Sequence, residues 1–218
     1  MLKRNSVIAD YYWENYNRTL FVANKIKELG LKDFRVFDVG GTRKDNLLGK
    51  FGIKNITSLN IQADSDIVAS AHQLPIKDRS FECVTCIDTL EHIPQELRLR
   101  IIRELIRVAS RGVFIVAPVN SEENKRAEQL VLKYLSASFI KEHERFGLVD
   151  FDEIKHEIED IKKEGKIELI KEGDLDNLMY WVAMMLGDKL EVSKLYQELY
   201  FLENKFHPRR KAISIYLR

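Results

Sequence analysis

Four clusters of residues along this 218-residue chain have the types and spacing to do chemistry. The first is Val36-Phe37-Asp38-Val39-Gly40-Gly41-Thr42. A short apolar strand that ends in an acid and then glycines lets backbone approach a ligand at the carboxyl edge of a sheet, where open α/β sheets bind. It is not a dinucleotide fingerprint, because G-x-G-x-x-G fails in every register, and no G-K-[ST] follows to cradle a phosphate. A tight strand-to-helix turn would carry the same residues. The second cluster is Leu59-Asn60-Ile61, with Asn60 lying 22 residues after Asp38. Nucleoside-binding α/β domains need a hydrogen-bond acceptor near this point for the ribose hydroxyls. Asn60 offers an amide oxygen where a carboxylate is usual, although a turn-forming asparagine would look alike. The third is Ala69-Ser70-Ala71-His72-Gln73-Leu74-Pro75-Ile76, continuing to Ser80-Phe81, and the fourth is Cys86-Ile87-Asp88-Thr89-Leu90-Glu91-His92-Ile93-Pro94.

His92 stands four residues after Asp88. An imidazole titrating near neutrality suits the deprotonation of an acceptor, while a purely structural His92 would hydrogen-bond the turn. Cys83 and Cys86 form a CxxC, which invites a metal or redox reading. Residues three apart on a strand point to opposite faces, so neither a disulfide nor a shared metal fits, and both are expected to be buried packing thiols. Arg98, Arg100, Arg103, Arg107 and Arg111 interleave with Glu91, Glu96 and Glu104, the pattern of a solvated helix face rather than of a nucleic-acid surface.

Elements of alternating type must position these residues. Trp13, Tyr16, Leu20, Ala23 and Ile26 recur at helical spacing, so residues 10–29 read as an amphipathic helix capped by Gly30. Strands are expected at 34–39, 56–61, 66–69, 81–87 and 112–118, with a helix after Pro94 whose inner face is Leu97, Ile101, Leu105 and Val108. Residues 121–163 read as charge-rich and mostly helical with an irregular middle over 139–152. A sixth strand is expected at 166–170, helix over 174–203 and a closing strand at 212–217. Strands alternating with helices mean a mostly parallel sheet covered on both faces, an α/β fold in one domain.

Composition excludes several classes. Lys+Arg 35 against Asp+Glu 34 leaves a net charge of +1, so no global field recruits nucleic acid or anionic membrane. The longest apolar run, Leu178–Leu186, is nine residues, too short to span a bilayer. The first residues lack the apolar stretch of a signal peptide, and a cytoplasmic location is expected.

The four clusters, in this order and spacing, resemble the type 11 branch of class I S-adenosylmethionine-dependent methyltransferases. That family has a strand-acid-glycine turn, a ribose-binding acid, an "AxxLPF.d.sFD" segment and an "LEH.P" turn after the fourth strand, matched here over about residues 34–118. The resemblance implies a doubly wound, Rossmann-like methyltransferase sheet of seven strands, six parallel and the last antiparallel, with a helical lid. It implies that Asp38, Gly40 and Gly41 shape the turn around the methionine portion of S-adenosylmethionine. Asn60 would hold the ribose, Ile61 would be among the cofactor-binding residues, Ser70 and Ala71 would lie against the adenine, and Asp88 would line the methionine side near the sulfur. The chain departs from the family at Thr42 and Lys44, where further glycines are usual, at Asn60 for the ribose acid, and at Ser70 for the acid near the adenine amine.

The C-terminal half is similar to prokaryotic methyltransferases that accompany glycosyltransferases in glycan-assembly gene clusters. The similarity rests on Lys141-Glu142-His143-Glu144-Arg145-Phe146-Gly147-Leu148, on Glu172-Gly173-Asp174-Leu175 with Trp181, and on Phe206-His207-Pro208-Arg209. It implies a sugar, glycolipid or other small-molecule acceptor, with His143, Glu144 and Trp181 facing it. The expected division of residues 1–218 is an N-terminal helix (1–30), a cofactor-binding core (34–118), a helical lid (119–165) and an acceptor-side part (166–218). Methyl transfer to an oxygen needs alignment and a base, for which His92 or His143 is available; no ligand cluster visible in the sequence suggests a metal. A homodimer is compatible with the sequence. Three rivals stay open: a non-catalytic S-adenosylmethionine-binding partner subunit, a nucleotide-dependent oxidoreductase and an RNA methyltransferase.

Overall fold

Apolar residues of the central strands divide by parity between the two faces of one sheet. Phe37, Val39, Val84, Cys86, Val113 and Ile115 point into one core cluster, whereas Val36, Cys83, Phe114 and Val116 point into the other. Strands buried on both faces read as continuous apolar runs, as parallel sheets require. The computed structural model describes residues 13–30, 34–44, 46–187, 189–191 and 207–218. In chain order its elements begin with α1 (Trp13–Glu28), β1 (Val36–Val39), α2 (Leu47–Lys50), β2 (Ile56–Asn60), β3 (Ile67–Val68) and β4 (Phe81–Ile87). A 3-10 turn (Leu90–His92) leads to α3 (Gln95–Val108) and β5 (Ala109–Pro118). Then follow α4 (Glu122–Tyr134), α5 (Ser138–Phe146), α6 (Phe151–Lys163), β6 (Ile167–Asn177), α7 (Leu178–Leu186) and β7 (Pro208–Leu217).

The sheet has seven strands in the order β3-β2-β1-β4-β5-β7-β6. All pairs from β3 to β5 are parallel, and β7 runs antiparallel to both β5 and β6. This is the seven-stranded, mostly parallel architecture expected. Helix α3 covers one face, burying Ile101, Ile102, Leu105, Ile106 and Val108, at roughly 1.5–3 kcal/mol per large side chain. Helix α6 joins it there through Ile154, Ile158 and Ile161, while α1 covers the other face with Val22, Ala23 and Ile26. A third cluster joins α4 and α7 around Val131, Leu178, Trp181 and Val182.

The structure corrects several expected elements, and β5 and β7 begin at Ala109 and Pro208, ahead of the expected 112 and 212. Residues 174–177 are strand, not helix: Asp174, Leu175 and Asn177 pair with Lys211, Arg210 and Pro208. Helix α7 starts only after Asn177, whose side chain accepts from the Met179 amide. Edge strand β6 carries Glu168, Lys171, Glu172 and Asp174, charges that blunt an unpaired edge and hide its apolar alternation. Residues 138–146, almost all within the stretch expected to be irregular, form α5, which ends at Gly147 in the left-handed region (φ 78°). Helix α2 has no apolar periodicity to announce it; Asn46 caps it by accepting from the Leu48 amide. The expected helical residues 10–12 and 192–203 lie outside the described residues. No helix among the described residues is long and apolar enough to cross a membrane.

Candidate active site

The glycine turn is built by its own neighbours. Gly40 has φ 88° and its N–H donates to the Leu59 carbonyl at 2.7 Å. A Cβ at Gly40 would stand 2.0 Å from Thr89 Oγ1, and one at Gly41 2.1 Å from Asp38 Oδ2. The buried Asp38 carboxylate sits beneath Gly41, accepting from Thr85 Oγ1 at 2.7 Å and from Asn46 Nδ2 at 2.8 Å. Burial pushes its pKa up against those two bonds. Asp38 and Gly41 therefore shape the turn and border a shallow 210 Å³ depression shared with Arg18 and Thr42.

A cleft of about 630 Å³ opens at the carboxyl ends of β1, β2 and β4. It is lined by Gly40, Asn60, Ile61, Ser70, Ala71, Asp88 and His92 among others, so the structure brings together all but Asp38 and Gly41 of the residues expected to hold the cofactor. Asn60 Nδ2 donates to the Gly40 carbonyl at 2.7 Å, and its Oδ1 accepts from the Gln62 amide at 3.2 Å. A carbonyl on one side and an N–H on the other fix which way the amide faces. Ile61 is 75% exposed at the cleft, an apolar surface with no protein cover that suits the flat face of a purine. Ser70 Oγ and His72 Nδ1 hydrogen-bond at 2.6 Å on the same wall.

At its far end the cleft meets a network of charges. Asp88, at φ 44° directly after β4, is held by Arg210 through Nε at 2.9 Å and Nη2 at 2.7 Å, and by Arg18 at 2.7 Å. Burial favours the neutral acid, but the guanidiniums of Arg18 and Arg210 prevail and hold the Asp88 carboxyl below the usual carboxylate range. Arg210 also reaches Asp176 at 3.2 Å. His92 Nδ1 lies 2.6 Å from Glu142 Oε2 of α5, and its ring centroid is 5.0 Å from that of His143. Burial, then the neighbouring His143, lower the His92 pKa against the pull of Glu142. His143 is buried; its Nδ1 meets Glu128 Oε1 at 2.7 Å, which Arg209 Nη2 also reaches at 2.8 Å. Glu91 is 1% exposed, with Oε2 lacking any hydrogen-bond partner. Burial and the Asp88 carboxylate push its carboxyl up.

Helix α5 is locked onto the turn below it by Arg98, which donates to the carbonyls of Phe146, Gly147 and Leu148 at 2.5–3.0 Å. Expected on a solvated helix face, Arg98 is instead buried, because the unpaired carbonyls ending α5 need donors. Trp181 does not face the cleft: it is 2% exposed beneath the Arg209 guanidinium, 4.0 Å from the ring centroid. Glu144 is exposed on α5. Arg18, Arg98, Arg209 and Arg210 were not singled out by sequence reasoning for this network; the Arg209-Arg210 pair inside an apolar strand was the available signal.

A mostly parallel sheet with a glycine turn after β1 and a nucleoside-sized cleft over its carboxyl edge defines the class I methyltransferase fold. Residues 50–117 match the model of the methyltransferase domain family. Among solved structures, an S-adenosylmethionine-dependent methyltransferase of Archaeoglobus fulgidus superposes with a TM-score of 0.58 at 15% identity, covering 95% of this chain and 100% of that one. The plantazolicin methyltransferase BamL, in complex with a triazolic desmethyl analogue and S-adenosylhomocysteine, gives 0.57 at 13%, covering 92% and 84%. A phosphoethanolamine N-methyltransferase of Haemonchus contortus bound to S-adenosylmethionine gives 0.55 at 14%, covering 88% and 50%. At such identities the likeness is one of fold. No curated protein sequence matches the chain significantly. The family match over residues 50–117 and the shared fold thus make the chain similar to class I S-adenosylmethionine-dependent methyltransferases.

Proposed function

We propose that the chain methylates a hydroxyl of a small molecule, with a sugar or glycolipid as the acceptor class. When bound, S-adenosylmethionine supplies an electrophilic sulfonium methyl. The exposed Ile61 beside Asn60, Ser70 and Ala71 supports placing the nucleoside there, with the methionine portion toward Gly40 and Asp88. On this reading residues 34–118 hold the cofactor, while 119–165 and 166–218 supply the acceptor end.

The observation that carries the acceptor assignment is His92, a histidine in the cleft wall with its Nδ1 held by Glu142 at 2.6 Å. The carboxylate fixes Nδ1–H, leaving the lone pair on Nε2. With its pKa lowered, the ring is neutral at pH 7 and can take the proton of an acceptor O–H as the new O–C bond forms. His143, buried behind it, holds the ring's other flank. An unprotonated amine would need no such base, and Arg145 is the one arginine or lysine along the cleft's described lining, which disfavours RNA.

The test incubates the protein with methyl-labelled S-adenosylmethionine and a panel of hydroxylated glycans and glycolipids, with RNA and amines as controls. Label should enter a hydroxylated acceptor, and His92→Gln should lower kcat by about 10²–10⁴-fold. Label in RNA or amines alone would overturn the acceptor assignment.

A further inference from the structure

We propose that Glu91, His92 and His143 form a site for a divalent transition metal of the zinc kind at the acceptor end of the cleft. Their donor atoms all lie within 4.8 Å of one another. The carboxylate Oε1 of Glu91 is 4.0 Å from His92 Nε2. Two histidines and one carboxylate, with open positions left for a further ligand, are a common catalytic set for zinc and for other first-row divalent ions.

Three observations beyond the cluster point to an ion. Each histidine has its Nδ1 engaged by a separate carboxylate, Glu142 for His92 and Glu128 for His143. A ligating histidine almost always donates its other ring N–H in this way, which fixes the tautomer and aims the free Nε2 at the metal. Second, Glu91 Oε2 is buried without a hydrogen-bond partner, and an unsatisfied buried carboxylate oxygen is costly. A cation bonded to it removes that cost. Third, the surrounding carboxyl groups outnumber the guanidiniums, so a cation is favoured there. Arg18, Arg98, Arg209 and Arg210 face five carboxyl groups, those of Asp88, Glu91, Glu128, Glu142 and Asp176. Bonds of about 2.0–2.2 Å place neighbouring ligand atoms about 3–3.5 Å apart, so the three side chains need to close by about 1 Å. His92, on the cleft wall, has space for that shift.

This inference rests on the methyltransferase reading for its consequence. With the ion in place, His92 Nε2 is a ligand, and the acidification of the acceptor passes from that nitrogen to the metal. The acceptor oxygen binds an open position, its proton leaves to water, and the O–C bond forms as the S–C bond breaks. An acceptor with two adjacent oxygens, such as a vicinal diol, fits two open positions.

The chelator-treated 218-residue chain is titrated with Co²⁺ and followed by its visible d–d absorption, then with Zn²⁺ as competitor. Binding of one equivalent of Co²⁺ is expected, displaced by Zn²⁺. His92→Ala and His143→Ala should each weaken it at least tenfold, and Glu128→Gln, which changes a supporting group only, by about 10–100-fold. His156→Ala, on the exposed face of α6, should leave it unchanged. Because His143→Ala removes a buried group, circular dichroism is recorded alongside, and the more exposed His92→Ala decides should that variant unfold. No d–d band, or one that survives His92→Ala, overturns the site. S-adenosylhomocysteine binding is measured separately by calorimetry. Its loss with Co²⁺ binding intact overturns the methyltransferase reading and leaves the metal site standing, and the converse result does the reverse.

Discussion

Replacing Gly40 with alanine tests whether the turn is dictated by the protein's own packing. The added methyl would lie 2.0 Å from Thr89 Oγ1 and 2.9 Å from Thr89 Cβ, on a residue with φ 88°. The left-handed conformation costs a residue with a Cβ about 1–2 kcal/mol. Pushing Thr89 aside also disrupts its hydroxyl's bonds to the carbonyls of Ile87 at 3.1 Å and Val39 at 3.3 Å, worth about 0.5–1.5 kcal/mol net. The expected loss is about 2–3 kcal/mol, which for a chain of this size lowers Tm by about 5–10 °C. Thermal and urea unfolding of wild type, Gly40→Ala, Thr89→Gly and the double variant close a cycle. In the Thr89→Gly background the alanine should cost about 1 kcal/mol less, since the backbone term remains and the collision is gone. A Tm within 1 °C of wild type, or an unchanged cost in the second background, would refute the role given to Thr89.

Asn60→Asp should lower stability by about 1–3 kcal/mol by urea unfolding, because the Gly40 carbonyl loses its donor and faces a carboxylate. Calorimetry with S-adenosylhomocysteine should show no tightening; a fivefold gain would mean that the side chain turns outward to the ribose. Asp88→Asn leaves Arg18 and Arg210 without their shared carboxylate and should cost about 3–5 kcal/mol, read as a Tm drop of about 10 °C or more; a shift under 2 °C would contradict the clamp. Burial raises the thiol pKa of both cysteines, that of Cys83 to about 12. Ellman's reagent at pH 8 should therefore find no reactive thiol in the native protein and two after unfolding, and a fast native reaction would show that β4 opens. S-adenosylhomocysteine at a hundredfold excess over Kd should stabilise the fold by about 2.7 kcal/mol in a thermal-shift assay; no shift at millimolar ligand would argue against the cleft.

What the sequence made legible was the part governed by local pattern. Apolar runs bounded by glycine and proline placed β1, β2, β4 and β5, and the ordered clusters on their carboxyl ends led to Asn60, Ser70, Asp88 and His92, which do meet in one cleft. Edge strand β6 escaped beyond residue 170 because its solvent-facing charges break the apolar alternation. The charged network escaped because its pairs are remote in sequence: Asp88 meets Arg210 across 122 positions and His92 meets Glu142 across 50. Spacing rules see ligands a few residues apart, so a set drawn from residues 91, 92 and 143 leaves no local trace. The arginines of α3 share one composition but two fates. Arg98 turns inward to end α5, and nothing in the residues around it distinguishes it from its exposed neighbours.

Arg209 and Arg210 sit next to each other on β7, and successive strand residues point to opposite faces. Arg210 is bonded to Asp88 and Asp176, while Arg209 is bonded to Glu128 and Asn124 of α4 and lies over Trp181. One strand therefore rivets the carboxyl end of β4, through Asp88, and the helical cover to the same plate. Swinging the cover away would separate buried ions, at several kcal/mol for each pair broken. Helices α4 and α7 thus behave as a fixed roof rather than a flap. On the proposed reading, variants that change the acceptor are then to be sought along the lining of the cleft rather than at a hinge.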